Sequence, residues 1–374
     1  MINIVSTVIL FLVSLLAVLP APAFYLWLLA IAVDEYPWIF VLLTLAIIVV
    51  NLKSKTFPLA TAAISLISVL LFLSTNVRAY FIGRDLESEL TAAFGAFDPD
   101  IDSPYAPTRQ LAGNIRVPYN PMGYKKNGAK TLILNFYPAQ KKGDRPCVVV
   151  IHGGSWKSGD NQQLPELNEY LALKGYHVAA INYRLAPDFQ SPAPVEDVAD
   201  ALFFLKNKAT ELNIDTTNFI ILGRSAGAQI ALLSAYKLHD PAIKGVIDFY
   251  GPADMVWGYS LPSNPLIMDS RKVMEDYLGG TYQAHPENYK RSSPLLFVSD
   301  HSPPTLLIHG KNDVLVAYEH SQRLNIKLEE HKIKHYLLTI PWATHAFDYN
   351  LNGPGGQLST YAVMYFLKSV TQHS

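Results

Sequence analysis

The stretch "FIILGRSAGAQIALL", residues 219–233, constrains the fold more than any other part of the chain. Four apolar residues run into Gly-Arg-Ser-Ala-Gly, and a run of small and apolar residues follows at once. This pattern describes a buried strand that turns sharply into a helix, with Ser225 at the apex. Side chains at Gly223 and Gly227 would collide with neighbouring backbone in so tight a turn. The apex exposes the serine Oγ and points the free N–H groups of the helix N-terminus at it. A five-residue match also arises by chance, with the serine merely filling a corner, so Ser225 needs partners elsewhere.

From about residue 114 the chain alternates short apolar runs with helical patterns. The runs are "TLILNFYP" (131–138), "CVVVIHGG" (147–154), "HVAAINY" (177–183), "FIIL" (219–222), "KGVIDFYG" (244–251), "TLLIHG" (305–310) and "HYLLTIP" (335–341). Helical patterns cover about 162–174, 194–209, 226–238, 317–331 and 357–371. Such alternation implies an α/β domain: a mostly parallel sheet with helices on both faces. Active groups in these sheets gather at the carboxyl ends of the strands, so the residues just after each run are the ones to test.

A serine hydroxyl needs a base to take its proton, and the base needs a third group to orient it. Of eleven histidines, His345 in "PWATHAFDY" follows the last strand on a short loop. His152, His309 and His335 belong to strands or their edges, and His320 and His331 fall on a helix read as solvent-facing. Asp313 follows "TLLIHG" where the chain leaves the sheet; an aspartate there also serves as a helix N-cap. The order Ser225, Asp313, His345 is the one known for a nucleophile elbow of this kind. An oxyanion formed at such a serine must meet preorganised donors, each worth about 3 kcal/mol to the transition state. "IHGGSW" (151–156) and the residue after the serine offer the backbone N–H groups of Gly154, Ser155 and Ala226.

A formal charge of −1 and the lack of any basic run exclude an electrostatic nucleic-acid binder. Cys147 is the sole cysteine, so no internal disulfide and no cysteine-pair zinc site can form. Charge is scarcest at the start: residues 1–77 carry only Asp34, Glu35, Lys53 and Lys55. Three uncharged stretches, Met1–Val33, Tyr36–Leu52 and Thr56–Val77, read as about three transmembrane helices over residues 1–78, with Pro20 and Pro22 marking a kink or end in the first. A cleaved signal peptide fits less well, because no positive n-region precedes the apolar stretch; a buried soluble helical domain is the other alternative. Lys53 and Lys55 in one turn place everything after Val77 on the outer, non-cytoplasmic face, although Arg78 and Arg84 balance the count. Residues 84–97 read as a short amphipathic helix, and "DPDIDSPYAP" as a stiff connector, so residues 79–110 form a linker before a catalytic domain over 111–374.

With "HGGSW", "NYRLAP", "PVEDVADAL", "GRSAGAQIALL", "HGKND" and "THAF" in this order, the second domain resembles the α/β-hydrolases, in particular their carboxylesterase and hormone-sensitive-lipase-like branch. The resemblance implies an eight-stranded sheet and an acyl-enzyme mechanism that needs no metal or cofactor. It also places a cap insertion at about 252–303. There "MVWGYSLPSNPLIM" (255–268) suggests an apolar wall, with Trp257 and Tyr259 beside a small-molecule or lipid-like ester. His152 and Trp156, the ends of the H-G-G-x-W form, are further substrate-binding expectations. That form also occurs in arylformamidases and membrane-bound prenylcysteine methylesterases. Ester hydrolase, amide hydrolase, lipid methylesterase and acyltransferase on the same triad all stay open, as does a non-catalytic membrane scaffold. Arg224 stands where similar enzymes often carry glutamate or histidine. It reads either as an anion clamp or, preferably, as a support paired with a carboxylate such as Asp197 or Asp248.

Overall fold

The computed structural model describes residues 2–52, 59–96, 103–113, 116–128 and 130–371. Lys53 and Lys55, on which the orientation reading rests, lie outside the described residues, as does most of the acidic part of the connector.

Eight strands form one sheet in the order β1-β2-β4-β3-β5-β6-β7-β8. They are β1 Asn120–Asn127, β2 Lys130–Tyr137, β3 Arg145–Ile151, β4 His177–Ile181, β5 Ile214–Arg224, β6 Ile243–Phe249, β7 Thr305–Gly310 and β8 His335–Ile340. β1 pairs antiparallel with β2 and β2 with β4; every other pairing is parallel. The parallel strands are continuous Val/Ile/Leu runs because helices cover both their faces. β1 escapes the periodicity reading: "NPMGYKKN" sits at the sheet edge with only Tyr124 buried, so no apolar alternation marks it.

The helices are α1 Ile2–Ser14, α2 Phe24–Glu35, α3 Pro37–Leu52, α4 Leu59–Phe94, α5 Pro165–Lys174, α6 Ala193–Asn207, α7 Ala209–Leu212, α8 Ala226–Lys237, α9 Met255–Ser260, α10 Ser270–Leu278, α11 Pro286–Arg291, α12 Glu319–Glu330 and α13 Pro354–Thr371. Side chains of α6, α8 and α12 fill the core on one face of the sheet, and those of α5, α13 and the second half of α4 fill it on the other. α9, α10 and α11 stand between β6 and β7, in the segment expected to form a cap.

The N-terminal region departs from three separate spans. The first uncharged stretch breaks between α1 and α2, around Pro20 and Pro22, and α2 and α3 meet at a 91° bend. The third stretch and the expected amphipathic helix are one helix, α4, about 54 Å long at 1.5 Å per residue. Among the described residues, α4 is the one helix long and apolar enough to cross a membrane by itself; α2 and α3 qualify only as a bent pair. α4 changes character along its length. Its first half buries Thr61, Ser65, Ser68, Phe72 and Thr75 and exposes Leu59, Leu66, Ile67, Leu70 and Leu73. Its second half buries Ala79, Gly83, Leu86, Leu90 and Phe94 against the sheet layer. The 3.6-residue period is therefore kept throughout, while the chemistry of the inward face inverts.

α2 is tied to the second domain by hydrogen bonds as well as packing. The Glu35 carboxylate accepts the N–H groups of Gly355 and Gly356 at 3.1 and 3.2 Å, capping α13. Asn350 Nδ2 donates to the Glu35 carbonyl at 3.0 Å. Asp34 and Glu35 are both fully buried, Glu35 against the second domain.

Candidate active site

β5 ends at Arg224, α8 begins at Ala226, and Ser225 between them sits at φ 55°, ψ −122°. A non-glycine residue held there carries stored strain of about 1–3 kcal/mol. The two glycines explain how the turn closes. A Cβ on Gly223 would lie 2.2 Å from the Gly227 carbonyl oxygen, and one on Gly227 would lie 2.3 Å from the carbonyl oxygens of Ile151 and His152. The collisions expected from the sequence are real contacts between elbow, helix and the β3 loop.

His345 Nε2 lies 2.9 Å from Ser225 Oγ, and His345 Nδ1 lies 2.7 Å from Asp313 Oδ2. A proton on Nδ1, facing the carboxylate, leaves Nε2 as the acceptor for the serine hydroxyl. Asp313 divides its two oxygens between tasks. Oδ1 accepts the N–H groups of Leu315 and Val316, both at 2.9 Å, so it caps a turn and not a helix, since α12 begins only at Glu319. Oδ2 faces His345 and, at 3.2 Å, His309 Nε2. Burial alone would raise the Asp313 carboxyl, but His345 and His309 hold it well below the usual carboxylate range. His309 was set aside in the sequence as a strand residue. Its ring is fixed by Ser321 Oγ at 2.7 Å and the Val316 carbonyl at 3.1 Å.

The loop after β3 carries Ser155 at φ 55° and Trp156 at φ 58°. The Gly153 N–H is already used, donating to Gln163 Oε1 at 2.7 Å. The N–H groups of Gly154 and Ser155 have no acceptor among the described residues. Ala226 opens a helix, where the first N–H groups lack intrahelical partners. Gly154, Ser155 and Ala226 all border cavities that also include Ser225.

Two of the expected substrate contacts also hold this loop. His152 is stacked on Tyr183 with centroids 4.3 Å apart, and its Nδ1 donates to the Gly153 carbonyl at 2.7 Å. Burial lowers its pKa, keeping the ring neutral. Trp156 stacks on Tyr277 at 4.5 Å and donates Nε1 to Gln229 Oε1 at 3.0 Å, leaving only a small part facing the cleft.

A family model described as BD-FAE matches residues 134–328, just over half of the 374 residues. The chain belongs to the BD-FAE family. This places it among the α/β-hydrolases of carboxylesterase type, as its motifs suggest. It is 29% identical over 247 residues to a probable carboxylic ester hydrolase, LipM, of Mycobacterium tuberculosis, a match covering 62% of this chain and 56% of the relative. Esterase LipC of the same organism is 26% identical over 242 residues, covering 60% and 58%. The match thus spans little more than half the length of these relatives. Among solved structures, Thermogutta terrifontis esterase 2 phosphonylated by sarin superimposes with a TM-score of 0.58 at 22% identity, covering 68% of this chain and 95% of that one. The Pyrobaculum calidifontis esterase gives 0.58 at 19% identity, covering 78% and 92%. At these identities the likeness is one of fold.

Ser225 of this BD-FAE member opens onto two cavities. One, of about 220 Å³, lies under the cap and includes Trp156, Gly258, Leu261, Met274 and His320 in its wall. His320 was expected on a solvent-facing helix. It is buried, accepts the Asp254 N–H at 3.2 Å, and burial pushes its pKa down to about 3, so it is neutral. Trp257 and Tyr259 line neither cavity touching Ser225; both border a separate pocket on the far side of α9. The reason is helical geometry: Gly258 faces the small cavity, so its neighbours on either side point away. The second cavity, of about 520 Å³, includes His345, Tyr349, Phe24, Trp27 and Leu28. Trp27 Nε1 also donates to the His345 carbonyl at 3.1 Å. α2 lies outside the BD-FAE match, and its aromatic residues belong to the first uncharged stretch, read from the sequence as membrane-crossing.

Arg224 is paired, but with neither expected carboxylate. Asp197 is held by Arg184 and Lys125, and Asp248 accepts the Gly251 N–H. The partner is Asp348, three residues after His345: Arg224 Nε donates to its Oδ2 at 2.5 Å and Tyr250 OH to its Oδ1 at 2.5 Å.

Proposed function

We propose that the protein is a membrane-anchored serine hydrolase that cleaves a carboxylic ester through an acyl-enzyme. The observation that carries this reading is the continuous relay from Asp313 through His345 to Ser225, with distances of 2.7 and 2.9 Å. Its catalytic residues are Ser225, His345 and Asp313. His345 Nε2 takes the Ser225 proton as Oγ attacks the ester carbonyl, and Asp313 stabilises the imidazolium. The N–H groups of Gly154, Ser155 and Ala226 receive the oxyanion. Collapse of the tetrahedral intermediate breaks the carbonyl–oxygen bond, and His345 returns the proton to the leaving alcohol. Water, activated by the same histidine, then releases the acid and restores Ser225. The names of the LipM and LipC relatives favour ester over amide as substrate.

Anchoring rests on the first half of α4 and the apolar faces of α1 and α3. Leucines, isoleucines and valines are exposed there while small and polar residues pack inward, the reverse of a soluble helix and the arrangement that suits helices in lipid. Residues 1–78 form the membrane region in this reading, and residues 111–374 the catalytic domain with its cap over 252–303. Glu35, just before α3, packs on the catalytic domain, and Lys53 and Lys55 follow the other end of α3 in the sequence, which favours a catalytic domain on the non-cytoplasmic face.

A fluorophosphonate probe tests the core of the proposal. The full chain in detergent should label and hydrolyse p-nitrophenyl acetate, and Ser225→Ala should do neither while keeping the wild-type Tm. A well-folded wild type that neither labels nor hydrolyses would overturn it.

A further inference from the structure

The two cavities at Ser225 are unequal in size, chemistry and position relative to His345. Both include Ser155, Ser225, Met268 and Leu315, so the serine stands at their junction. Only the larger one, about 520 Å³, includes His345 in its wall; the smaller, about 220 Å³, runs beneath the cap past Ala226. This difference orients the ester. When the tetrahedral intermediate collapses, the oxygen that leaves must take its proton from His345 Nε2. The alcohol therefore departs over the imidazole, into the larger cavity, while the acyl group bound to Oγ stays in the smaller one.

The walls then describe the two halves of the substrate. A cavity of about 150 Å³ accepts one benzene molecule, so the acyl side takes a short chain or a single ring and not a long fatty acid. The alcohol side is bounded by Phe24, Trp27 and Leu28 of α2 and by Ile267 of the cap loop. That loop is pinned to the N-terminal region by Phe24 N–H to the Leu266 carbonyl at 3.1 Å, and by Asn264 Nδ2 to the Pro22 carbonyl at 3.1 Å. The same helix exposes Tyr25 and Leu26, and α1 and α3 expose further apolar side chains.

We infer that the enzyme acts on short-acyl esters of long apolar alcohols, with α2 forming the alcohol subsite and leading it to the lipid phase. This rests on the ester-hydrolase reading above. Phe24 and Leu28 become specificity-determining residues, supplied by a part of the chain outside the matched family region. A large acid esterified to a small alcohol, as in a lipid methyl ester, would lie the wrong way round. The chemistry balances as described: the alcohol oxygen keeps the electron pair of the broken bond and gains the His345 proton, and water supplies the acid.

Two ester series on the full-length protein in detergent test this, with every ester kept below its own aggregation limit. With acetyl fixed, kcat/KM should rise from ethyl to butyl to hexyl acetate, by up to about fourfold per methylene buried. With ethanol fixed, it should fall once the acyl chain exceeds about eight carbons, given a cavity little larger than one ring. Leu28→Trp, which fills the α2 side, should lower kcat/KM for hexyl acetate about tenfold more than for ethyl acetate, so that the preference for the longer alcohol falls. The opposite ranking, long acyl and short alcohol preferred, would overturn the inference while leaving the hydrolase reading intact. So would a Leu28→Trp effect equal on both acetates. Loss of labelling in the wild type would instead strike the hydrolase reading itself.

Discussion

Arg224 and Asp348 form a buried ion pair directly beneath the nucleophile elbow, joining the residue before Ser225 to the residue three after His345. The guanidinium also lies 5.4 Å from the Phe249 ring centroid, and Tyr250 donates to the free carboxylate oxygen. The two strand-end loops that carry Ser225 and His345 are thereby fastened to each other by something other than the hydrogen bond between those two side chains. Asp348 neutralises Arg224, which favours a supporting role for the arginine, although Arg224 also borders the larger cavity at Ser225.

Removing one partner strands a buried charge. Arg224→Met or Asp348→Leu should destabilise the fold by about 3–5 kcal/mol, and Arg224→Met/Asp348→Leu by less than the sum of the singles. Denaturant unfolding of the four proteins checks this. Residual activity should fall alike on neutral and anionic esters; a selective loss on anionic ones would restore the clamp.

His309 acts on the site through Asp313. Replacing it with Phe removes a hydrogen bond to a charged group, worth about 1.5–3 kcal/mol, which corresponds to roughly ten- to hundredfold in kcat. KM should stay within about twofold of wild type, since His309 borders neither cavity at Ser225. An equal rise in KM would place the effect in general loosening of the cleft.

The strain at Ser225 predicts an asymmetry between two inactive variants. Glycine adopts φ 55°, ψ −122° at far lower steric cost than alanine. Ser225→Gly should therefore have a higher Tm than Ser225→Ala, by the equivalent of about 1–3 kcal/mol less the entropy lost in ordering glycine. Equal Tm values would show that the elbow is unstrained.

Burial pushes the Asp248 carboxyl up to about 7, against the pull of His309 and the Gly251 N–H. The folded state then keeps a proton that the unfolded chain releases near pH 4. Its contribution to stability is complete below about pH 4, declines as pH rises through the window to 7, and is constant above it. Asp248→Asn cannot titrate, so the Tm of the variant minus that of wild type should grow across this window and level off beyond it. Scanning fluorimetry from pH 4 to 9 measures the difference, and a flat difference would count against a protonated Asp248.

Much of the catalytic domain is legible as local pattern. Apolar runs of four to eight residues declare the buried parallel strands, since both faces of such a strand are covered. The glycines flanking Ser225 are readable because a tight strand-to-helix turn admits nothing larger. Asp313 and His345 are readable because strand ends are where such sheets gather chemistry. β1 is not, as an edge strand needs no apolar alternation. Trp257 and Tyr259 fail for a related reason: an aromatic-rich stretch shows that something is buried, and only the phase of α9 decides which side faces the cleft.

The sequence by itself determined the buried strands, the helices between them, their order and the glycine-flanked turn at Ser225, because these depend on periodicity and short-range sterics. Only the tertiary structure decided which distant groups meet. Asp348 pairs with Arg224 across 124 positions, and Trp27 reaches the His345 carbonyl across 318. The same uncharged stretch that reads as membrane helix also walls the cleft, through α2 packed on the domain. No local pattern encodes such contacts, since burial of a side chain specifies that it has neighbours and three-dimensional packing alone specifies which.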